Sequence, residues 1–263
     1  MRKAGILLVV SALFIVSVSG VQAQQRTREL GVSFDLTYMS KWLSKGVEAY
    51  GSHGALFKTL DLDFYGTGFG VKITHRNATS SGHVDSQRFD YRPYYYGKLF
   101  EGEKYATDFN LSAGYEHYPG LARNRSYTTW EWIFAFKWQN LLPGNFVPEY
   151  KAHYEYAAGE DYTKTPAGGD IPSGWVHRFI LGYDLLTQSL PNPIHLSSEL
   201  AYTDGLGGAE HDWSYATFGA STKLNITENM SFVPGIYHQV SMEDSVCTKD
   251  DVTYSKLSMK YVF

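Results

Sequence analysis

The feature that most constrains this chain is a strict alternation of apolar and polar residues, recurring in segments of about ten residues. In "TTWEWIFAFKW", Thr128, Trp130, Trp132, Phe134, Phe136 and Trp138 share one face; Thr129, Glu131, Ile133, Ala135 and Lys137 share the other. A period of two places successive side chains on opposite sides of a β-strand. "VPEYKAHYEYA", "DFNLSAGYEH" and "IHLSSELAY" repeat the pattern, and no stretch follows the helical period. The alternation predicts strands at 31–43, 55–65, 69–77, 88–99, 107–118, 126–138, 147–157, 174–185, 194–204, 212–225, 230–241 and 252–263. A strand of about ten residues, tilted, is long enough to cross a bilayer.

Alternation alone fits either a soluble β-sandwich, with its apolar face inside, or a membrane barrel, with that face outside. The connections favour the barrel. Those after odd-numbered strands are mostly long and polar, as in "NATSSGHVDSQ", "AGEDYTKTPAGGDIPSG" and "MEDSVCTKDD"; several after even-numbered strands are tight, as in "GTG" and "ITENM". Outer-membrane barrels combine an even strand count, short periplasmic turns and longer outer loops. The expected fold is therefore all-β, a single antiparallel transmembrane barrel of about 12 strands, with the last strand closing on the first because lipid tolerates no open edge.

The ends agree with that reading. Residues 1–23 have a basic start, an apolar run and a small-residue cleavage site at "VQAQQ", which predicts a secretory signal peptide and a mature barrel over 24–263. Past it, no apolar stretch approaches the roughly 18 residues of a membrane helix. The final strand "YSKLSMKYVF" alternates up to Phe263, and it resembles the C-terminal signal by which outer-membrane barrels are recognised for assembly. Aromatic residues make up 16% of the chain, with 21 tyrosines, which suits the interfacial girdles of such a barrel. The net charge of −4 is spread along the chain, so nothing suggests a nucleic-acid partner. The lone Cys247 excludes an intrachain disulfide.

The stretch "LTYMSKWLSKGVEAYGSHGALFKTLDLDFYGTGFGVKI" resembles the first hairpin of the TorF-type porin family of small outer-membrane barrels. Ser40, Lys41, Trp42, Lys45 and Gly46 carry its Ser-aromatic-basic-Gly part, and Gly68 and Phe69 its Gly-aromatic turn. The likeness continues loosely through "NLSAGYEHYPG" and "VPEYKAHYEYAAGEDY". The family pattern favours arginine before the glycine; here Lys45 stands there, without arginine's bidentate fork. The resemblance implies a porin-like outer-membrane barrel and supplies no substrate.

In a barrel, the charged faces line the interior. Predicted pore-lining residues are Lys72, Arg76, Arg88, Arg92, Lys98, Asp108, Glu116, Glu131, Lys137, Glu149, Lys151, Glu155, Arg178 and Glu199. Basic residues bunch on strands 3 and 4 and acidic ones on strands 5 to 7, which implies either a transverse field across a pore or rows that neutralise one another and close the lumen. Trp130, Trp132, Phe134, Phe136, Trp138 and Tyr261 are expected to face lipid or form girdles, with Phe263 as the assembly signal. "HLSSE" puts His195, Ser197 and Glu199 on one face, but same-face neighbours on a strand lie about 6–7 Å apart, beyond the reach of a working Ser–His pair. No HExxH or Cys/His cluster points to a metal, and no catalytic group or cofactor is expected. The expected function is passive diffusion of small hydrophilic solutes through a charged lumen. The alternatives are a structural or adhesive barrel with a salt-bridged lumen, a solute-specific channel, a barrel enzyme and a soluble periplasmic sandwich. The expected partners are outer-membrane lipid, the barrel-assembly machinery and the solutes.

Overall fold

The computed structural model describes residues 29–263, except 52, 84–85, 121–127, 159–172, 188–189, 207–209 and 245–249. The expected signal peptide and Cys247 lie outside the described residues.

Twelve long strands form one antiparallel sheet: β1 (Gly31–Met39), β2 (Ala55–Asp63), β3 (Phe69–Ala78), β4 (Gln87–Leu99), β5 (Thr107–His117), β6 (Thr129–Trp138), β7 (Phe146–Ala157), β8 (Gly174–Leu185), β9 (Ile194–Asp204), β10 (His211–Thr222), β11 (Met230–Ser241) and β12 (Val252–Val262). Each strand pairs with its chain neighbours, and β1 closes the ring on β12, with Ser33 opposite Val262 and Met39 opposite Lys256. The last residue is held too: the Phe263 amide donates to the Val32 carbonyl at 3.0 Å. The bare terminal strand is thus one side of the seam.

The barrel is inside-out relative to a soluble protein. Arg88, Asp90, Glu116 and Glu131 are at most 3% exposed, whereas Trp132, Phe179, Phe218 and Ile236 are 43–58% exposed. A sandwich would invert this, because burying charges in a dry apolar core is costly. Alternation is kept around the ring by the register: Glu131 stands opposite Gly114 and Glu155, while Trp132 stands opposite Ala113 and Tyr154.

Two expectations are corrected. The first strand stops at Met39 instead of running to 43, because the chain leaves the wall and turns inward. The tenth stops at Thr222, and the two-residue segment Leu224–Asn225 resumes pairing with β11.

Candidate functional site in the barrel interior

Residues 40–51 form a finger that projects into the barrel. Its base is tied to the wall by Ser40 and Ser255, whose amides donate to the Ser255 carbonyl (3.0 Å) and to Ser40 Oγ (2.8 Å) respectively. Leu43–Ser44 and Val47–Glu48 pair as a minimal hairpin. Lys45 and Gly46 between them have φ of 52° and 90°. Positive φ at both central residues is the form that suits a two-residue hairpin. Glycine adopts it without cost, but a lysine does so only against steric resistance. Such a residue is held by what it touches.

Lys45 touches the far wall. Its Nζ lies 3.0 Å from Glu131 Oε1 on β6 and forms a second ion pair with Glu155 on β7. The neighbouring Gly46 carbonyl accepts from Gln239 Nε2 on β11 at 2.9 Å. The finger therefore bridges from the β1–β2 side to three other strands. Burial alone would lower the Lys45 ammonium, but the carboxylates of Glu131, Glu155 and Glu116 outweigh it and hold the group above the ordinary lysine range. Nearer the base, Trp42 packs on Tyr50 with centroids 4.9 Å apart, and its ring lies 5.2 Å from both the Arg76 and Arg88 guanidinium carbons.

Beneath the finger runs a chain of ion pairs. Arg76 pairs with Asp90; Arg88 reaches Asp90 at 2.6 Å and Glu116 at 2.6 Å; Arg92 reaches Glu131 at 2.6 Å. His153 Nδ1 lies 3.1 Å from Glu131 Oε1. Arg92 crosses β5 to meet Glu131, and Gly114 makes that crossing possible: a Cβ there would stand 3.2 Å from Arg92 Nε. With Lys45 and Glu155 included, four cations (Lys45, Arg76, Arg88, Arg92) meet four carboxylates (Asp90, Glu116, Glu131, Glu155). The basic row of β3–β4 and the acidic row of β5–β7 cancel pairwise here, as the salt-bridged reading expects.

The other side of the lumen is less filled. A cavity of about 280 Å³ lies between the finger and β8–β12, lined by Lys45, Arg178, Glu199, Tyr215, Tyr237 and Lys256 among others. Arg178 donates through Nε and Nη2 to the two Glu199 oxygens at 2.7 and 2.6 Å, and the Tyr215 hydroxyl donates to Glu199 at 2.8 Å. Tyr237 and Tyr254 stack with centroids 5.3 Å apart and planes within 16°.

The register puts all fourteen residues expected to line the pore on the inner face. Arg76, Arg88, Arg92, Glu116, Glu131 and Glu155 belong to the ion-pair chain; Arg178 and Glu199 line the cavity. The rest sit toward the opposite end, where Lys72 pairs with Asp61 at 3.6 Å and Lys151 with Glu149 at 2.8 Å, and Lys98 and Lys137 both stand in register with Asp108. Trp130, Trp132, Phe134, Phe136 and Trp138 occupy the outer face, as do Tyr261 and Phe263, whose rings meet edge to face at 4.9 Å. The outer face is not uniformly apolar: Lys58, in register with Leu36 and His75, reaches Asn77 Oδ1 at 3.1 Å. The "HLSSE" residues are engaged elsewhere, His195 with Asp184 at 2.7 Å and Glu199 with Arg178. No metal-binding group of His, Cys, Asp and Glu forms among the described residues.

Sequence reasoning missed the finger. The signal was "SKG", a glycine-ended two-residue turn between Leu43–Ser44 and Val47–Glu48, inside the stretch that resembles the porin family.

No protein-family model matches the chain, and no curated protein matches it in sequence. Solved structures do match. The chain is similar to "KdgM porin", with a TM-score of 0.54 and 11% identity over 88% of this chain and 99% of that one. It is similar also to the COG4313 outer membrane channel from Pseudomonas putida F1, with a TM-score of 0.50 and 8% identity over 92% of this chain and 100% of the other. At these identities the likeness is one of fold: an outer-membrane β-barrel of small size.

Proposed function

We propose that this chain is a porin-like channel of the bacterial outer membrane, of the TorF type, through which small hydrophilic solutes diffuse passively. The observation that carries the proposal is the unequal filling of the lumen. The finger and its ion pairs occupy the β3–β7 side, while the β8–β12 side keeps a polar cavity of about 280 Å³ beside the fingertip. Solutes pass along that side, in an eyelet bounded by Lys45 and Gly46 on one hand and by Arg178, Glu199 and Tyr215 on the other. The two similar solved barrels, a porin and an outer membrane channel, support the reading. In this reading the chain is exported with cleavage of residues 1–23, and it is assembled through the strand ending at Phe263. It meets outer-membrane lipid through the outer face that carries Trp130, Trp132 and Tyr261.

The test is single-channel recording of refolded protein in a planar bilayer. Discrete, reproducible current steps are expected. Protein shown to be folded and inserted that gives no steps would refute the channel and leave the second reading, a structural or adhesive barrel with a closed lumen. That reading draws on the same ion-pair chain, with the finger as a permanent plug.

A further inference from the structure

Six cations on the lumen wall have an acid within ion-pair distance: Arg76, Arg88, Arg92, Lys72, Lys151 and Arg178. Lys98 and Lys137 stand in register with Asp108, and Lys260 with Asp35. Lys256 differs. Its register partners are Met39 on β1 and Gly235 on β11, and its inner-face neighbours along β12 are Tyr254 and Ser258. It forms no ion pair with any described residue, and it is half-buried against the cavity beside the fingertip. The other charges of that cavity are taken: Lys45 by Glu131 and Glu155, and Arg178 and Glu199 by each other.

Around this charge, which has no ion pair in the cavity, the lining offers the hydroxyls of Ser197 and Thr217, with the stacked rings of Tyr237 and Tyr254 as a flat wall. A volume near 280 Å³ lies just below the roughly 300 to 1,000 Å³ of sites for drug-sized ligands, so the recess suits a small solute. A cation in such a polar, partly desolvated recess attracts a carboxylate more strongly than it would in bulk water. Hydroxyls along the wall supply both donors and acceptors for a polyol chain.

We infer that the eyelet holds a solute-binding site for small hydroxylated monoanions, polyol carboxylates as a class, with Lys256 as the residue that receives the carboxylate. This rests on the channel reading. In a porin such a site is weak and transient, so that solutes of this class are enriched in the eyelet yet released.

The experiment is block of single-channel current by sodium gluconate, compared with glucose as the neutral analogue and glucosamine as the cationic one. For the wild-type barrel, gluconate should reach half-block at a concentration about tenfold below that of glucose, which is the scale of one charge-assisted hydrogen bond. Glucosamine should be weaker than both. Lys256→Gln should abolish the gluconate preference while the open-channel current persists, and Lys256→Arg should restore it. Equal block by gluconate and glucose, or a preference unchanged in Lys256→Gln, would overturn the site while leaving the channel standing. Absence of any current from inserted barrels would instead remove the channel reading and the site with it.

Discussion

Replacing Lys45 with methionine keeps an unbranched stem at the fingertip and removes only the charge, so it asks what holds the finger across the lumen. In the native barrel the ammonium serves Glu131 at 3.0 Å and Glu155 at closer range. Glu131 retains Arg92 and His153 after the change, whereas Glu155 loses the one ion pair it makes with a described residue. Hydrogen bonds to charged groups contribute about 1.5–3 kcal/mol each, and the upper part of that range suits a pair this sheltered from water. A loss of about 2–3 kcal/mol lowers the ratio of docked to undocked finger by roughly 30- to 150-fold. Gln239→Ala removes the neutral bond to the Gly46 carbonyl; it should cost about 1 kcal/mol, or roughly fivefold. Single-channel recording reads both: a docked finger gives a small conductance, and an undocked one a larger conductance with lengthened dwell. The order of effect must be Lys45→Met above Gln239→Ala. A Lys45→Met barrel that is folded, inserted and indistinguishable from wild type in conductance and dwell would refute the electrostatic latch.

Other perturbations test other parts of the same structure. Lys45 is held above the ordinary lysine range, so its contribution is complete below the unfolded lysine value of about 10.4 and is lost only as pH rises through the higher folded value. Dwell times should therefore stay flat from about pH 7 to about pH 10, and lengthening of the larger-conductance state already near pH 9 would contradict the assignment. Gly114→Val puts a side chain into the path of Arg92 and should cost about 1–3 kcal/mol in denaturant midpoint; an unchanged midpoint would show that Arg92 does not need that route. Trp132→Arg places a charge on the outer face and should destabilise the bilayer-folded protein by about 2–4 kcal/mol if that position meets the membrane centre. Deleting Phe263 removes an exposed ring and one amide bond to Val32. It should leave refolding into detergent close to wild type while sharply reducing assembly in cells, and equal assembly would discard the terminal-signal reading.

The wall of the barrel was legible in the sequence because its physics is local. Each strand announces its two faces by alternation, so Trp130 and Glu131 could be assigned to opposite sides from neighbouring letters alone. Charge rows on β3–β7 were legible for the same reason. Their pairing was not. Whether Arg92 meets Glu116, Glu131 or a solute depends on the absence of a side chain at Gly114, one strand away. The finger was hidden for a related reason. Trp42 falls on the same parity as Phe34, Leu36 and Tyr38, so the apolar face reads on past the point where the chain leaves the wall, and the letters do not mark Met39 as the last wall residue. A hairpin of two residues a side has too few letters to declare itself, and its stability comes from contacts with Glu131, Glu155 and Gln239 far along the chain.

That dependence changes how charge on the barrel wall bears on conduction. Counting lumen charges strand by strand suggests a field from the β3–β4 cations toward the β5–β7 carboxylates. Removing two opposite charges from water is costly, and a buried pair is tolerable only when each charge is closely matched. The finger enforces that match on one side by covering Arg76 and Arg88 with Trp42 and by adding Lys45 to the acidic row. Once those groups are satisfied, they have little left to offer a passing ion. The electrostatics a solute meets are set by what the finger leaves unpaired, and in the eyelet that is Lys256. A double substitution such as Arg88→Glu with Arg92→Glu therefore perturbs stability before selectivity, whereas a single change at Lys256 perturbs selectivity alone. If the paired arginines governed ion preference as strongly as Lys256, the division of the lumen into a closed side and a conducting side would fail.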